Sequence, residues 1–305
     1  MRTIYGTILV AAGLSLTVDA AEVKVDFGKD IGPVKPVNGV GQPPLVGKLD
    51  DWSMMHYLKE AGIPYSRLHD VGGWLGVGLY VDIPNLFPDF DADENDPKNY
   101  RFAYTDELMK VLVANGVEPF FRLGVTIENF APRLPRIRTN PPKDFAKWAR
   151  ICEHVVAHYN EGWANGKRMN ISHWEIWNEP SHPSMWGGTF ADYTRLYGTT
   201  AVHLKRRFPG IKVGGYAALT HSTSPKWKEL VRKNLDFFIS EVKNNGWPLD
   251  FFSYHGYCTM AETMDRIRHF DSVLSANGFT PDKTERIFNE WLPYHHKREL
   301  LGTAE

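Results

Sequence analysis

Two glutamates stand where apolar stretches give way to polar residues. One closes His173-Trp174-Glu175-Ile176-Trp177-Asn178-Glu179-Pro180, the other Ile287-Phe288-Asn289-Glu290-Trp291. A carboxyl against apolar walls such as Trp177 favours its protonated form near neutrality, as a general acid requires. A second carboxyl that stays ionised serves as a nucleophile. Paired across one cleft at ~5 to 5.5 Å, two such groups carry out retaining hydrolysis of a glycosidic bond by double displacement. In that scheme Glu290 attacks the anomeric carbon, and Glu179 protonates the leaving oxygen and later deprotonates water. Asn178, beside Glu179, is placed to hydrogen-bond a sugar hydroxyl. Glu175 lies four residues down the same stretch and reads as a buried structural carboxylate paired with a base.

Glu179 and Glu290 are 111 positions apart in sequence, so only the fold can bring them together. Short apolar runs alternate with longer segments of 3.6-residue periodicity, the pattern of a parallel sheet with crossover helices. Strands are expected at Val37–Val40, Tyr65–His69, Glu118–Leu123, Trp174–Trp177, Lys212–Tyr216, Phe251–Tyr254 and Arg286–Asn289. Helices are expected at Asp51–Ala61, Thr105–Asn115 with Thr105 as N-cap, Asp144–Asn160, Phe190–Phe208, Lys226–Asn244 and Thr263–Asn277. Gly62, Gly116, Gly246 and Gly278 follow helix ends, where a left-handed cap favours a residue without Cβ. The fold class is α/β, a (β/α)8 TIM barrel, in which Glu179 and Glu290 end strands four and seven at one mouth. After Trp291 only fourteen residues remain, too few for an eighth strand and its helices, so the barrel is expected to be truncated after the seventh strand.

The segments Trp174 to Pro180 and Asn289-Glu290-Trp291 resemble the strand-four and strand-seven motifs of clan A glycoside hydrolases, and the details are most similar to glycoside hydrolase family 39. The resemblance runs from about Asn38 to Trp291. It implies a cofactor-free glycosidase of the β-xylosidase and α-L-iduronidase type. Ser66-Arg67-Leu68-His69 is similar to that family's second-strand Arg-x-His, which implies that Arg67 supports the nucleophile and His69 contacts a sugar hydroxyl. His255 and Tyr257 match its sixth-strand His-x-Tyr, with Tyr257 donating to Glu290. Asn289 stands where Thr is usual in the family, and Asp70 replaces a frequent Gly. The resemblance also implies an aromatic floor supplied by the eighth strand, which a barrel truncated after the seventh would lack. A β-xyloside is the first substrate expected, with arabinosides, galactosides and uronic acid glycosides as alternatives. A non-catalytic or decayed carbohydrate-binding barrel is the rival reading.

The chain as a whole fits a saccharide partner. The formal net charge is -1 and no run of Lys and Arg occurs, which argues against nucleic acid as a partner. Arg2, the mostly apolar Ile4 to Val18 and the small residues up to Ala20 read as a signal peptide, residues 1–20. The domain then runs over 21–305, and the protein is expected to be secreted or periplasmic with no stable membrane insertion. Cys152 and Cys258 read as two buried thiols.

Other candidates are weaker. Asp89, Asp91 and Asp93 have the spacing of a calcium loop, but Glu94 replaces its glycine and Tyr100 its bidentate glutamate, so a solvated acidic loop is preferred. Two long connections, Asp70 to Arg101 and Gly124 to Pro142, follow strands on the functional face. Glu128 and Asn129 in the second are placed to reach a sugar, or to meet solvent. Trp74 and Trp186 suit sugar stacking or lid packing. The adjacent His295 and His296 are expected to be exposed.

Overall fold

A computed structural model of the chain describes residues 26, 28–29, 32, 38–41, 43, 54–69, 71, 81–125, 139–219 and 225–291. The chain divides into two compact units, Met1–Pro36 and Val37–Glu305. In the first, Asp26 accepts a hydrogen bond from the Gly28 amide at 2.9 Å. The signal-peptide segment, Asp70, Trp74, Glu128, Asn129, His295 and His296 lie outside the described residues.

The second unit is an α/β barrel. Its strands are β1 (Gly39–Gly41), β2 (Tyr65–Leu68), β3 (Glu118–Leu123), β4 (His173–Ile176), β5 (Lys212–Ala218), β6 (Phe251–Gly256) and β7 (Glu285–Trp291). All neighbours pair in parallel, in chain order from β1 to β7. β7 also approaches β1, so the sheet curls into a nearly closed barrel. Seven strands are present among the described residues, as the sequence predicts, and each falls within two residues of its expected limits.

Six helices among the described residues come from the periodic segments. They are α1 (Met55–Glu60), α3 (Ala103–Ala114), α4 (Phe145–Asn160), α5 (Phe190–Arg207), α6 (Pro225–Asn245) and α7 (Met260–Ala276). A four-residue helix α2 (Ile83–Leu86) lies in the long connection after β2, where no helix is predicted. Side-chain oxygens cap the main helices: Asp144 accepts from the amides of Ala146 and Lys147. Thr189 with Asp192, and Thr259 with Glu262, form reciprocal capping boxes. The second box starts α7 three residues before the predicted Thr263. Thr105 is not a cap: α3 begins two residues earlier at Ala103, with Phe102, stacked on Tyr100 and His158, in the N-cap position. Gly62, Gly116, Gly246 and Gly278 all have positive φ after their helices, 60°, 74°, 62° and 89°.

Packing distinguishes the strands. Residues of β4 and β6 are buried throughout, whereas β7 is half-buried and ends in an exposed Trp291. Apolar side chains of α4 and α5, including Ile151, Cys152, Val155, Leu196 and Tyr197, cover the outside of the β3–β5 region. Cys258 is buried as well, and both cysteines are free thiols. The floor of the barrel is polar and aromatic. There His173 packs on Phe120, Phe251 and Tyr65 and bonds Glu285 at 3.0 Å.

Candidate active site

The site lies at the C-terminal ends of β2, β4, β6 and β7. Beyond Ile176 the chain leaves β4 with Trp177 at φ 69° and Glu179 at φ 43°. Left-handed backbone at non-glycine residues costs roughly 1–3 kcal/mol each and persists only where the surroundings enforce it. Here they do. The Trp177 amide bonds the Leu123 carbonyl at 2.8 Å, its indole N–H donates to Met185 O at 2.8 Å, and its ring packs on Trp148 and Trp186. Gly124 permits this approach, since a Cβ there would stand 3.0 Å from the Trp177 Cα. The twist turns Asn178 and Glu179, both buried, into the barrel.

On β7 a bulge does similar work. Tyr254 pairs with Phe288 and His255 with Glu290, which leaves Asn289 as an extra residue. Strand alternation sends successive side chains to opposite faces, and one inserted residue lets Asn289 and Glu290 both face inward. Asn289 Nδ2 donates to Glu175 Oε1 at 2.8 Å, while Glu290 meets the groups of β2 and β6.

Arg67 from β2 joins these elements. Its Nε donates to Glu175 Oε2 at 2.8 Å, one terminal nitrogen to Glu290 Oε2 at 3.0 Å, and the other to Asn178 Oδ1 at 2.6 Å. Glu175 is wholly buried and Arg67 4% exposed, so the pair meets the rule that buried charges must be matched. Tyr257 donates its hydroxyl to Glu290 Oε1 at 2.5 Å, and His255 Nδ1 lies 2.7 Å from Glu179 Oε1 and 3.5 Å from Glu290 Oε2. One oxygen of each glutamate and a His255 ring nitrogen all lie within 4.8 Å of one another.

The charges differ between the residues. Burial pushes the Glu290 carboxyl up, but the His255 imidazole, Arg67 and the Tyr257 hydroxyl outweigh it and hold the group below its ordinary value. Burial and the neighbouring Glu290 push the Tyr257 phenol up, so it stays a neutral donor. His69 is held well below its ordinary value, first by burial and then by Arg67, Arg122 and His255, and is uncharged near neutrality. Glu179, His255 and Glu290 have donor types that also suit a divalent cation, but Arg67 already supplies fixed positive charge at Glu290.

All seven predicted site residues, Glu179, Glu290, Arg67, His69, Asn178, His255 and Tyr257, are thus placed at the C-terminal strand ends. Trp186 is 2% exposed and packs edge-on against Trp177, a core position rather than an open sugar platform. The acidic loop is tied by its own backbone and by bases at α4: Asp89 accepts from the Asp91 amide, Lys143 pairs with Asp91 at 2.9 Å, and Arg150 with Glu94 at 2.6 Å. Two features escape a reading of the sequence. One is the inward turn of Asn289, which depends on strand register. The other is the wholly buried ion pair of Arg122 with Asp82 at 2.7 Å, which docks the connection after β2 onto β3. A charged residue inside Phe120-Phe121-Arg122-Leu123 is the signal that marks it.

Comparison with known proteins bears on the fold and the family. Two β-xylosidases are similar in sequence. The one from Caldicellulosiruptor saccharolyticus is 25% identical over 78% of this chain and 46% of its own length. The one from Geobacillus stearothermophilus is 27% identical over 61% of this chain and 36% of its own. The chain therefore spans less than half of each. A glucosidase from Croceicoccus marinus superposes with a TM-score of 0.71 at 25% identity, over 91% of this chain and 55% of that one. The model of Glycosyl hydrolases family 39 matches residues 22–293, a span that contains every strand and both glutamates of the mouth, and the chain belongs to that family.

Proposed function

We propose that the chain is the catalytic barrel of a retaining O-glycoside hydrolase that acts on β-xylosides. The observation that carries this reading is the pair Glu179 and Glu290, with an oxygen of each within 4.8 Å of the other at one barrel mouth. Retaining enzymes keep their carboxyl groups ~5–5.5 Å apart, whereas inverting ones leave room for a water at ~6.5–9.5 Å.

The surroundings divide the labour between the two. Glu290, bonded by Arg67 and Tyr257 and held below its ordinary value, is the ionised nucleophile that attacks the anomeric carbon. Among the described residues, the His255 imidazole is the one basic side chain bonded to Glu179. With His255 Nδ1–H donating to Oε1, a proton on Glu179 resides on Oε2, facing the leaving oxygen. Bond cleavage takes that proton and leaves a glycosyl ester on Glu290. Glu179, now a carboxylate, then deprotonates the water that hydrolyses the ester. Asn178, oriented by Arg67, and neutral His69 are the candidates to bond sugar hydroxyls.

A xyloside is favoured because two proteins similar to this chain in sequence are β-xylosidases. A glucoside is the second reading, favoured by the similarity to the Croceicoccus marinus glucosidase. Residues 1–20 support export to the periplasm or medium as part of the same proposal. The test is hydrolysis of aryl xyloside, glucoside, arabinoside, galactoside and iduronide by the chain and by Glu290→Ala and Glu179→Ala. Turnover of the xyloside that both substitutions abolish supports the reading. Turnover that survives Glu290→Ala overturns the assignment of the nucleophile, and a folded chain inert toward the whole panel supports a non-catalytic saccharide-binding barrel.

A further inference from the structure

Arg67 carries one positive charge and bonds two carboxylates, Glu175 Oε2 and Glu290 Oε2. How that charge is divided depends on what else holds Glu175. Its other oxygen, Oε1, accepts from Asn289 Nδ2 at 2.8 Å, and Asn289 is the bulged residue directly before Glu290. The chain of bonds Asn289–Glu175–Arg67–Glu290 therefore crosses the barrel from β7 to β4 and β2 and returns to β7 one residue from its start. A bulge that turns Glu290 inward also commits its neighbour to Glu175, so the aim of Glu290 is fixed at two adjacent positions.

We infer that Glu175 and Asn289 are positioning residues, which together set how firmly Arg67 holds Glu290. This deepens the glycosidase reading and rests on it only for the catalytic consequence. Two further facts support it. Glu175 is wholly buried beside an arginine it does not have to itself, so weakening any of its partners changes the demand it makes on Arg67. Asn289 Oδ1 is buried with no partner among the described residues, so the amide can turn over and accept a hydrogen bond where Nδ2 now donates one.

That spare acceptor makes Glu175→Gln a mild substitution. The introduced side-chain amide accepts from Arg67 through its oxygen and donates through its nitrogen to the reversed Asn289 amide. Arg67 then faces a single carboxylate, a nearby negative charge is gone, and Glu290 ionises more readily. Asn289→Ala acts in the opposite direction: Glu175 loses a donor, leans more on Arg67, and Glu290 ionises less readily. Among the described residues, the remaining charged and titratable groups facing Glu290 are Glu179 from β4, with His255 and Tyr257 from β6, and both substitutions leave them in place.

The test is a 13C carboxyl titration of the glutamate-labelled chain, with the Glu290 resonance assigned by its loss in Glu290→Gln. The midpoint is expected to fall by about one pH unit in Glu175→Gln and to rise by a comparable amount in Asn289→Ala. Midpoints unmoved, or moved in the same direction by both substitutions, overturn the inference, since a purely structural role predicts no opposed shifts. If Glu175→Gln does not fold, the direction of the Asn289→Ala shift decides. When an aryl glycoside is turned over, the acid limb of kcat/KM follows the same two displacements. Opposed shifts in a chain inert toward every glycoside leave this inference standing and sink the glycosidase reading instead.

Discussion

β4 and β7 each deliver one glutamate to the same mouth, yet they are held by different forces. β4 is buried along its whole length, with Trp174 at 0% exposure, and its Glu179 is aimed by a backbone forced into left-handed φ by packing around Trp177. β7 is half-buried, and polar contacts pin it at both ends. At the floor Glu285 pairs with Lys212 and bonds His173; at the mouth Glu290 bonds Arg67 and Tyr257, and Asn289 bonds Glu175. Glu179, the proposed acid, is thus aimed mainly by apolar packing behind it, with the His255 imidazole as its one bonded basic side chain among the described residues. Glu290, the proposed nucleophile, is positioned by polar and charged groups, the same ones that hold its carboxyl below its ordinary value.

The sharpest way to break this comparison is through the chemistry. Glu290→Ala is expected to lower kcat by about 10⁴-fold or more, as removal of a nucleophile does. Glu179→Ala is expected to cost about 10²- to 10⁴-fold, the range of general acid-base catalysis. A small external nucleophile such as azide should restore turnover to each, with opposite anomers as products. The same anomer from both would erase the distinction between the strands.

Stability separates them next. Trp174→Ala leaves a cavity in a fully buried strand and is expected to cost about 3–5 kcal/mol in chemical denaturation. Phe288→Ala on β7 removes a partly buried ring and is expected to cost clearly less. Equal losses would mean that β7 is packed as β4 is.

The pH dependence sharpens the contrast further. Burial pushes the Glu285 carboxyl up, but Lys212 and His173 outweigh it and hold it below its ordinary value. A carboxyl held low in the folded state stabilises the protein above its unfolded pKa, about 4.3, and loses that contribution as pH falls through the folded value. Protection of β7 amides, taken relative to the intrinsic exchange rate at each pH, is therefore expected to fall on acidification before that of β4 does, and Glu285→Gln should remove the difference. Glu290 is likewise held low, so the acid limb of kcat/KM is expected below the ordinary glutamate range. The smallest effect concerns Trp291, which is 53% exposed. Trp291→Ser is expected to alter stability by about 0.5 kcal/mol or less in the same denaturation experiment.

Much of the architecture can be read in the residue order. Apolar runs and their periodicity locate seven strands and the helices between them, because each element signals through its own neighbours. Element limits depart from that pattern where a cap or an aromatic contact decides them, as at Phe102 and Thr259. Motif residues such as Arg67, His255 and Tyr257 stand out through the resemblance to family 39, which is what implies their roles. Glu175 is readable as a buried carboxylate in need of a base, because a lone acid inside an apolar run cannot stay charged without one.

Which groups meet is another matter. The bulge at Asn289 arises from the register of β6 against β7, and register is a relation between strands that neither strand's residues contain. Arg67 as the shared cation of Glu175 and Glu290, and Asp82 as the partner of Arg122, depend on side chains brought together from positions tens to hundreds of residues apart. Residue order is enough to specify the elements and the chemical types at their ends, because both are local properties. The division of one positive charge between two carboxylates is a property of distances across the barrel, and only closure of the fold sets those.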